Sequence, residues 1–262
     1  MNPKNKKKPL IVVTNDDGAD SRGIKALIEV AVCFGKVVVV APSKGRSGMG
    51  HAITLSSPLR IFKSFERGNV EVYRTNGTTA DSVKLAIRHV LKGQKIDLLI
   101  SGINQGANTS VSVIYSSTVS GAVEGCINGV PSVAFSIANY QRGIDFTTAK
   151  AVAKTVIEKV LQEGLPKNTC LNVNIPAVGL EEIKGFKSTR QAMNYWKEIF
   201  EERIDLVNHP YFWMGGNMVV KDRGRDTDVW AVEHDYISIC PLHIDHTAHE
   251  MMAEIKKWKL KK

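Results

Sequence analysis

Short runs of residues that are apolar at every position, rather than at alternate ones, recur through the first two thirds of the chain. They are LIVVT at 10–14, KVVVVAP at 36–42, IDLLIS at 96–101 and VPSVAFS at 130–136. Unbroken apolarity is what a parallel strand covered on both faces requires. Helix-like patterns alternate with these runs: RGIKALIEVAVCF follows the first, ADSVKLAIRHVLK precedes the third, and a helical stretch around Gly121–Ile127 precedes the fourth. The rhythm predicts an α/β fold, an open and mostly parallel sheet with helices covering both faces.

Residues 51–76 read as short alternating strands with turns, which predicts a small β insertion. A helix is predicted at about 145–163, followed by the strand TCLNVNIP. From Lys184 onward the chain is β-rich, with runs YFWMG, NMVVK and VWAVEHDYISICPL, and it closes on a helix-like MMAEIKKWKL. No repeat or low-complexity linker divides it. The expectation is one domain over residues 1–262, with a portion at about 10–183 and a β-rich C-terminal portion at about 184–262 that ends in a basic tail.

Composition narrows the class. With 262 residues, 43% hydrophobic and 23% charged, the chain has the make-up of a globular protein with a sizeable core. Its net charge of +9 suggests nucleic acid until the charge is located. Lys4, Lys6, Lys7 and Lys8 at one end and Lys256, Lys257, Lys259, Lys261 and Lys262 at the other carry the whole excess. The body is balanced, so no specific nucleic-acid partner is expected. Cys33, Cys126, Cys170 and Cys240 are widely spaced and form no C-x-x-C pair, which fits reduced thiols better than a disulfide framework. No apolar stretch is long enough for a membrane span or a signal peptide, so the expected location is the cytoplasm.

In an open α/β sheet, ligands bind beyond the carboxyl ends of the strands. After the first strand comes TNDDGADS, after the second APSKGRSGMGH, and after the run at 96–101 GINQGANTS. All three are polar and glycine-rich, and a parallel sheet brings them to one edge. Asp16 and Asp17 place two carboxylates side by side there; Ser47 adds a hydroxyl and Asn104 an amide oxygen. Such oxygen donors suit Mg²⁺ or Mn²⁺, which would also relieve the repulsion between the carboxylates. Alone, D-D-G describes a turn leading to a helix capped by Asp20 or Ser21. The two companion loops favour the metal.

Lys44, Arg46 and the backbone amides of the 43–50 loop, Gly48 among them, are suited to a phosphate. Asn108 is a further polar group in the third loop, and Ser116, Ser117 and Thr118 offer hydroxyls where a helix begins. The chain has no G-x-x-x-x-G-K-[ST], no G-x-G-x-x-G after the first strand and no G-x-S-x-G. His243, His246 and His249 recur at intervals of three but follow Pro241 without a cysteine, and are read as partly exposed rather than as zinc ligands. Trp196, Trp213, Trp230 and Trp258 are scattered and are assigned to packing or subunit contacts.

The ordered set TNDDG, VVAPSKGRSGMGHAITL, NGTTADSV, DLLISGINQGAN, YSSTVSGAVEG, GVPSVAFS, LNVNIP and TDVWAV…YISICPL resembles the SurE (survival protein E) family of nucleotidases over nearly the whole chain. The resemblance implies a Rossmann-like catalytic portion and a C-terminal portion exchanged between subunits in a homodimer or homotetramer. It implies a phosphomonoesterase acting on nucleoside 5′- and 3′-monophosphates, with short polyphosphate as a further substrate, and one divalent ion, Mg²⁺ or Mn²⁺, per subunit. The implied metal ligands are Asp16, Asp17, Ser47 and Asn104, with Asp16 and Asp17 also catalytic. Asn15, Asn108, Ser116 and Thr118 match positions lining the phosphate and nucleotide pocket. Thr79, Ser117, Asp235 and Cys240 depart from the usual family residues without touching the ligand set; Ser117 lies near enough to bear on substrate preference. The attacking group is either water, which is preferred, or a carboxylate oxygen of Asp16. A non-catalytic nucleotide-binding regulator of the same fold is the alternative.

Overall fold

The computed structural model describes residues 8–141, 143–258 and 260. In chain order the elements are β1 (Leu10–Thr14), α1 (Arg22–Ala31), β2 (Lys36–Pro42), β3 (Ile61–Arg67), β4 (Val70–Thr75), α2 (Thr79–Leu85), β5 (Leu98–Gln105), α3 (Ser112–Tyr115) and α4 (Ser117–Ile127). They continue as β6 (Ser132–Ile137), α5 (Thr147–Glu163), β7 (Thr169–Ile175), β8 (Gly185–Ser188), β9 (Tyr195–Ile204), β10 (Pro210–Val219), α6 (Asp228–Glu233), β11 (Tyr236–His243) and α7 (His249–Ile255). One π-helical turn, Ala86–Val90, continues α2.

Nine strands form one sheet in the order β3-β4-β2-β1-β5-β6-β7-β11-β8. From β4 to β7 every pairing is parallel, whereas β3 and β11 join antiparallel. Neighbouring residues on a strand face opposite sides, and the core divides accordingly. Ile11, Val13, Val37, Val39, Leu98 and Ile100 pack with α1 and α5. Leu10, Val12, Val38, Val40 and Leu99 pack with Val83 and Ala86 on the other side. There α4 adds Val119, Ala122 and Cys126 against Ala134 and Cys170. The fold is thus the open, mostly parallel α/β sheet expected from the unbroken apolar runs, with helices on both faces, and it is Rossmann-like as the family resemblance implied.

Several sequence-based expectations need correction. Residues 51–76 do not form a separate β insertion: β3 and β4 extend the main sheet, with β4 parallel to β2. The run at 96–101 does not end in a loop, because β5 continues to Gln105. YFWMG and NMVVK are parts of one strand, β10, which pairs with β9, a strand the apolar pattern did not announce. VWAVE is helical rather than extended, because the Thr227 hydroxyl accepts a hydrogen bond from the Trp230 N–H and starts α6.

The residues after Lys184 divide: β8 and β11 belong to the main sheet, while β9 and β10 form an isolated two-stranded ribbon. Lysines 4, 6, 7, 259, 261 and 262 lie outside the described residues; Lys8, Lys256 and Lys257 are exposed. Among the described residues all four cysteines are free, with Cys33 exposed and the other three buried. No described helix is long and apolar enough to cross a membrane.

Candidate active site

The chain leaves β1 for β2 on one side and later places β5 on the other, so β1 and β5 flank a topological switch point. The segments following β1 and β2 and the end of β5 meet there around a cavity of about 680 Å³. Asp16, Asp17, Ser47 and Asn104, the four sequence-predicted oxygen donors, all line it.

The Asp–Asp segment is held by its own backbone and by its neighbours. The side-chain amide of Asn15 donates to Gly18 O at 3.0 Å and to Ser21 Oγ at 2.7 Å, closing the turn. Ser21 caps α1, accepting from Ile24 N, so the capping role falls to it and leaves the aspartates free. Gly18 has φ +100, a left-handed geometry that favours glycine, and lies against the backbone of Lys44. Arg46 N donates to Asp16 O at 2.7 Å, tying the second loop to the first.

Asn104 owes its place to a bulge. Between Ser101 and Asn104 the pairing with β6 gains one residue on β5, a device that re-aims the following side chains. Gly102 sits in that bulge at φ +131, where a Cβ would lie 2.3 Å from Phe135 O. The Asn104 amide nitrogen donates to Gly106 O at 2.8 Å, which orients the amide and leaves the lone pairs of Oδ1 available to a cation.

Two carboxylates in this setting resist ionisation. Burial pushes Asp16 above the usual aspartate range, against the opposing hydrogen bond from Thr118. Asp17 is pushed up to about 6 by burial and then by the charge of Asp16, partly offset by the Gln105 backbone. Asp16 is 4% exposed. Among the described residues neither aspartate has a cationic side chain paired to it. Adjacent hard oxygen donors, one buried and one partly buried, without a counter-charge fit a divalent cation. Among the described residues no group of three or more His, Cys, Asp or Glu is arranged to hold a metal ion, and His243, His246 and His249 form no such centre.

Of the predicted phosphate or nucleotide contacts, Gly48, Asn108 and Ser116 line the cavity. Asn15, Ser117 and Thr118 do not; each is at most 1% exposed and acts from behind the wall. Thr118 donates to Asp16 Oδ1. The Ser117 hydroxyl bonds the backbone of the 46–49 segment. Lys44 and Arg46 are also absent from the lining, and the Arg46 guanidinium donates to Asn76 O at 3.0 Å instead.

The sequence reading missed further rim residues, among them Tyr115, Tyr140, Trp196, Glu198, Met214 and Gly216. Four of these come from the ribbon. Cross-strand pairing sets Trp196 opposite Met218, Glu198 opposite Gly216 and Phe200 opposite Met214, so one ribbon face closes the cavity. Trp196 therefore lines the site rather than serving packing alone. The available signal was the i, i+2 spacing of Trp196 and Glu198, which puts both on one face of a strand.

A cavity at a topological switch point, floored by paired carboxylates and ringed by hydroxyls, amides and aromatic rings, defines an α/β enzyme of the phosphatase type. The family model described as "Survival protein SurE" matches residues 11–198. A 5′-nucleotidase SurE of Cytophaga hutchinsonii is 48% identical over 253 residues, covering 96% of this chain and 98% of the relative. One of Flavobacterium psychrophilum is 46% identical, covering 97% and 99%. The crystal structure of the SurE protein from Aquifex aeolicus superposes with a TM-score of 0.82 at 42% identity, covering 95% of this chain and 98% of that one. The chain belongs to the SurE family.

Proposed function

We propose that the chain is a divalent-metal-dependent phosphomonoesterase that hydrolyses nucleoside 5′- and 3′-monophosphates to nucleoside and phosphate, with short polyphosphate as a further substrate. The Asp16–Asp17 pair carries this assignment: two carboxylates without a cationic partner among the described residues, on a cavity large enough for a nucleotide. Asp16, Asp17, the Ser47 hydroxyl and Asn104 Oδ1 would hold one Mg²⁺ or Mn²⁺. When bound, such an ion neutralises phosphoryl charge and activates the attacking group.

The chain's own groups supply the rest. Ser116 Oγ accepts from Val119 N, so its O–H is free to donate to a phosphoryl oxygen, as is the Gly48 N–H. One Asn108 amide N–H is taken by Ser136 at 2.8 Å; its Oδ1 would accept a hydrogen bond from a ribose hydroxyl. Tyr115, Tyr140 and Trp196 provide flat apolar surface for the nucleoside. Water attacks phosphorus and gives up a proton while the bond from phosphorus to the ribose oxygen breaks and that oxygen takes a proton up, leaving nucleoside and phosphate. Asp16 is the poorer nucleophile because it is buried and its Oδ1 is held by Thr118. Covalent phosphate trapped on Asp16 by rapid quenching would overturn that choice.

The test is phosphate release from nucleoside 5′- and 3′-monophosphates and short polyphosphates with each metal. Turnover abolished in D16N supports the assignment; tight nucleotide binding without release by the parent enzyme makes the chain a regulator. Phe200, Phe212 and Trp213 on the ribbon are 62%, 55% and 61% exposed, which supports association into a homodimer or homotetramer through it. Light scattering of an F200D/F212D variant, expected to be monomeric, tests that part.

A further inference from the structure

Ser47 and Gly48 lie on an exposed wall of the cavity: every residue from Ser43 to Met49 is exposed. A ligand on such a segment is useful only if the segment is held. The Ser117 hydroxyl donates to Arg46 O at 3.1 Å and accepts from Met49 N at 3.2 Å. These are the carbonyl and amide that a four-residue turn around Ser47 and Gly48 would join directly. Gly48, at the third position of that turn, has φ +73. The side chain of Ser117 is thus inserted into the turn that presents Ser47.

A second attachment follows at once. Gly50 N donates to Tyr115 O at 3.1 Å, and His51 Nε2 lies 2.9 Å from Glu124 Oε2. Glu124 is 2% exposed, and its other oxygen takes Lys84 and Asn128, each at 2.8 Å. Burial raises the pKa of Glu124, but His51 and Lys84 lower it further and keep it ionised. Its charge is fixed in α4, whose first turn also contains Thr118, the hydrogen-bond donor to Asp16. One helix therefore holds both Asp16 and the segment bearing Ser47.

We propose that Ser117 and the His51–Glu124 pair form a two-point clasp that fixes Ser47 and Gly48 against the aspartates, and are positioning residues of the cation site. This rests on the metal assignment made above for Asp16, Asp17, Ser47 and Asn104. None of the three clasp residues lines the cavity. Their effect is on the geometry in which an ion is met, before any substrate is present.

The test is titration of the metal-free full chain with Mn²⁺, followed by calorimetry and by the Mn²⁺ spin-resonance signal, in the parent, S117A, H51L, H51Q and D17N. S117A and H51L are each expected to weaken Mn²⁺ binding about threefold to tenfold. H51Q, whose amide N–H can still reach Glu124, recovers most of the loss. Hydrogen exchange of amides 47–50 in the metal-free protein rises in S117A and H51L while that of β1 and β5 is unchanged. Should S117A not fold, H51L with H51Q as its rescue decides alone. Parent-like Mn²⁺ affinity in S117A and H51L, with binding lost in D17N, overturns the clasp and leaves the metal assignment standing. No Mn²⁺ binding by the parent overturns both.

Discussion

The Thr118 hydroxyl, in the first turn of α4, donates a hydrogen bond to Asp16 Oδ1 at the end of β1, joining residues 102 positions apart. Both are buried, so the bond orients one carboxylate oxygen and favours its ionised form. Replacing Thr118 by valine keeps the shape and removes the donor. T118V is expected to fold, with kcat/KM for a nucleoside monophosphate reduced about tenfold to a hundredfold, the cost of one hydrogen bond to a charged group. Steady-state kinetics with thermal unfolding as a control measures it.

Asp17 titrates at about 6 in the metal-free fold against 3.8 when unfolded, because burial and then the charge of Asp16 oppose ionisation. The folded chain therefore holds more protons than the unfolded one between those values, and the contribution of Asp17 to stability falls as pH rises through about 6. The melting temperature of the metal-free parent, measured relative to D17N, is expected to drop from pH 4 to pH 7. Added Mn²⁺ reverses the drop, and its binding weakens below about pH 6, where protons compete.

Glu71 on β4 shows the opposite sign. Lys36 at 2.6 Å and Lys63 at 3.0 Å, the Lys36 bond contributing most, hold its pKa down to about 2 from 4.5. Its stabilisation is complete above 4.5 and disappears as pH falls through about 2. E71Q is expected to lower stability at pH 7 by about 0.5–1 kcal/mol, discounted for partial exposure, and to match the parent near pH 2. Chemical denaturation across that range checks it.

Burial pushes the thiols of Cys170 and Cys240 up to about 12, and Cys126 is also raised by burial, while Cys33 is exposed. A disulfide reagent at pH 8 is expected to label one thiol per native chain rapidly and four in denaturant, C33S removing the fast phase.

The central strands were legible because each is apolar on both faces, and the site because three polar loops follow strands that must share an edge. Strand β9 was not: Lys197, Glu198, Glu201, Glu202 and Arg203 give it the look of surface, and it pairs only with β10, outside the core. VWAVE fits a strand as well as a helix, and the Thr227 cap decides between them. The glycine after Ser101 suggested a loop, whereas the bulge at Gly102 lets β5 carry Asn104 onward. Hydroxyls at 116–118 marked the right helix start but not which of them faces the cavity: Ser116 does, whereas Ser117 and Thr118 turn inward.

The cavity is built from two materials that answer to mutation differently. Its floor grows out of strands and a helix that also hold the core, so most changes there endanger folding as well as chemistry. Its far wall belongs to a ribbon that pairs with itself and adds nothing to either main sheet face. Trp196, Glu198 and Met214 can therefore change without unfolding the chain, so this wall of the cavity can be reshaped over generations while the strand-borne half stays constant.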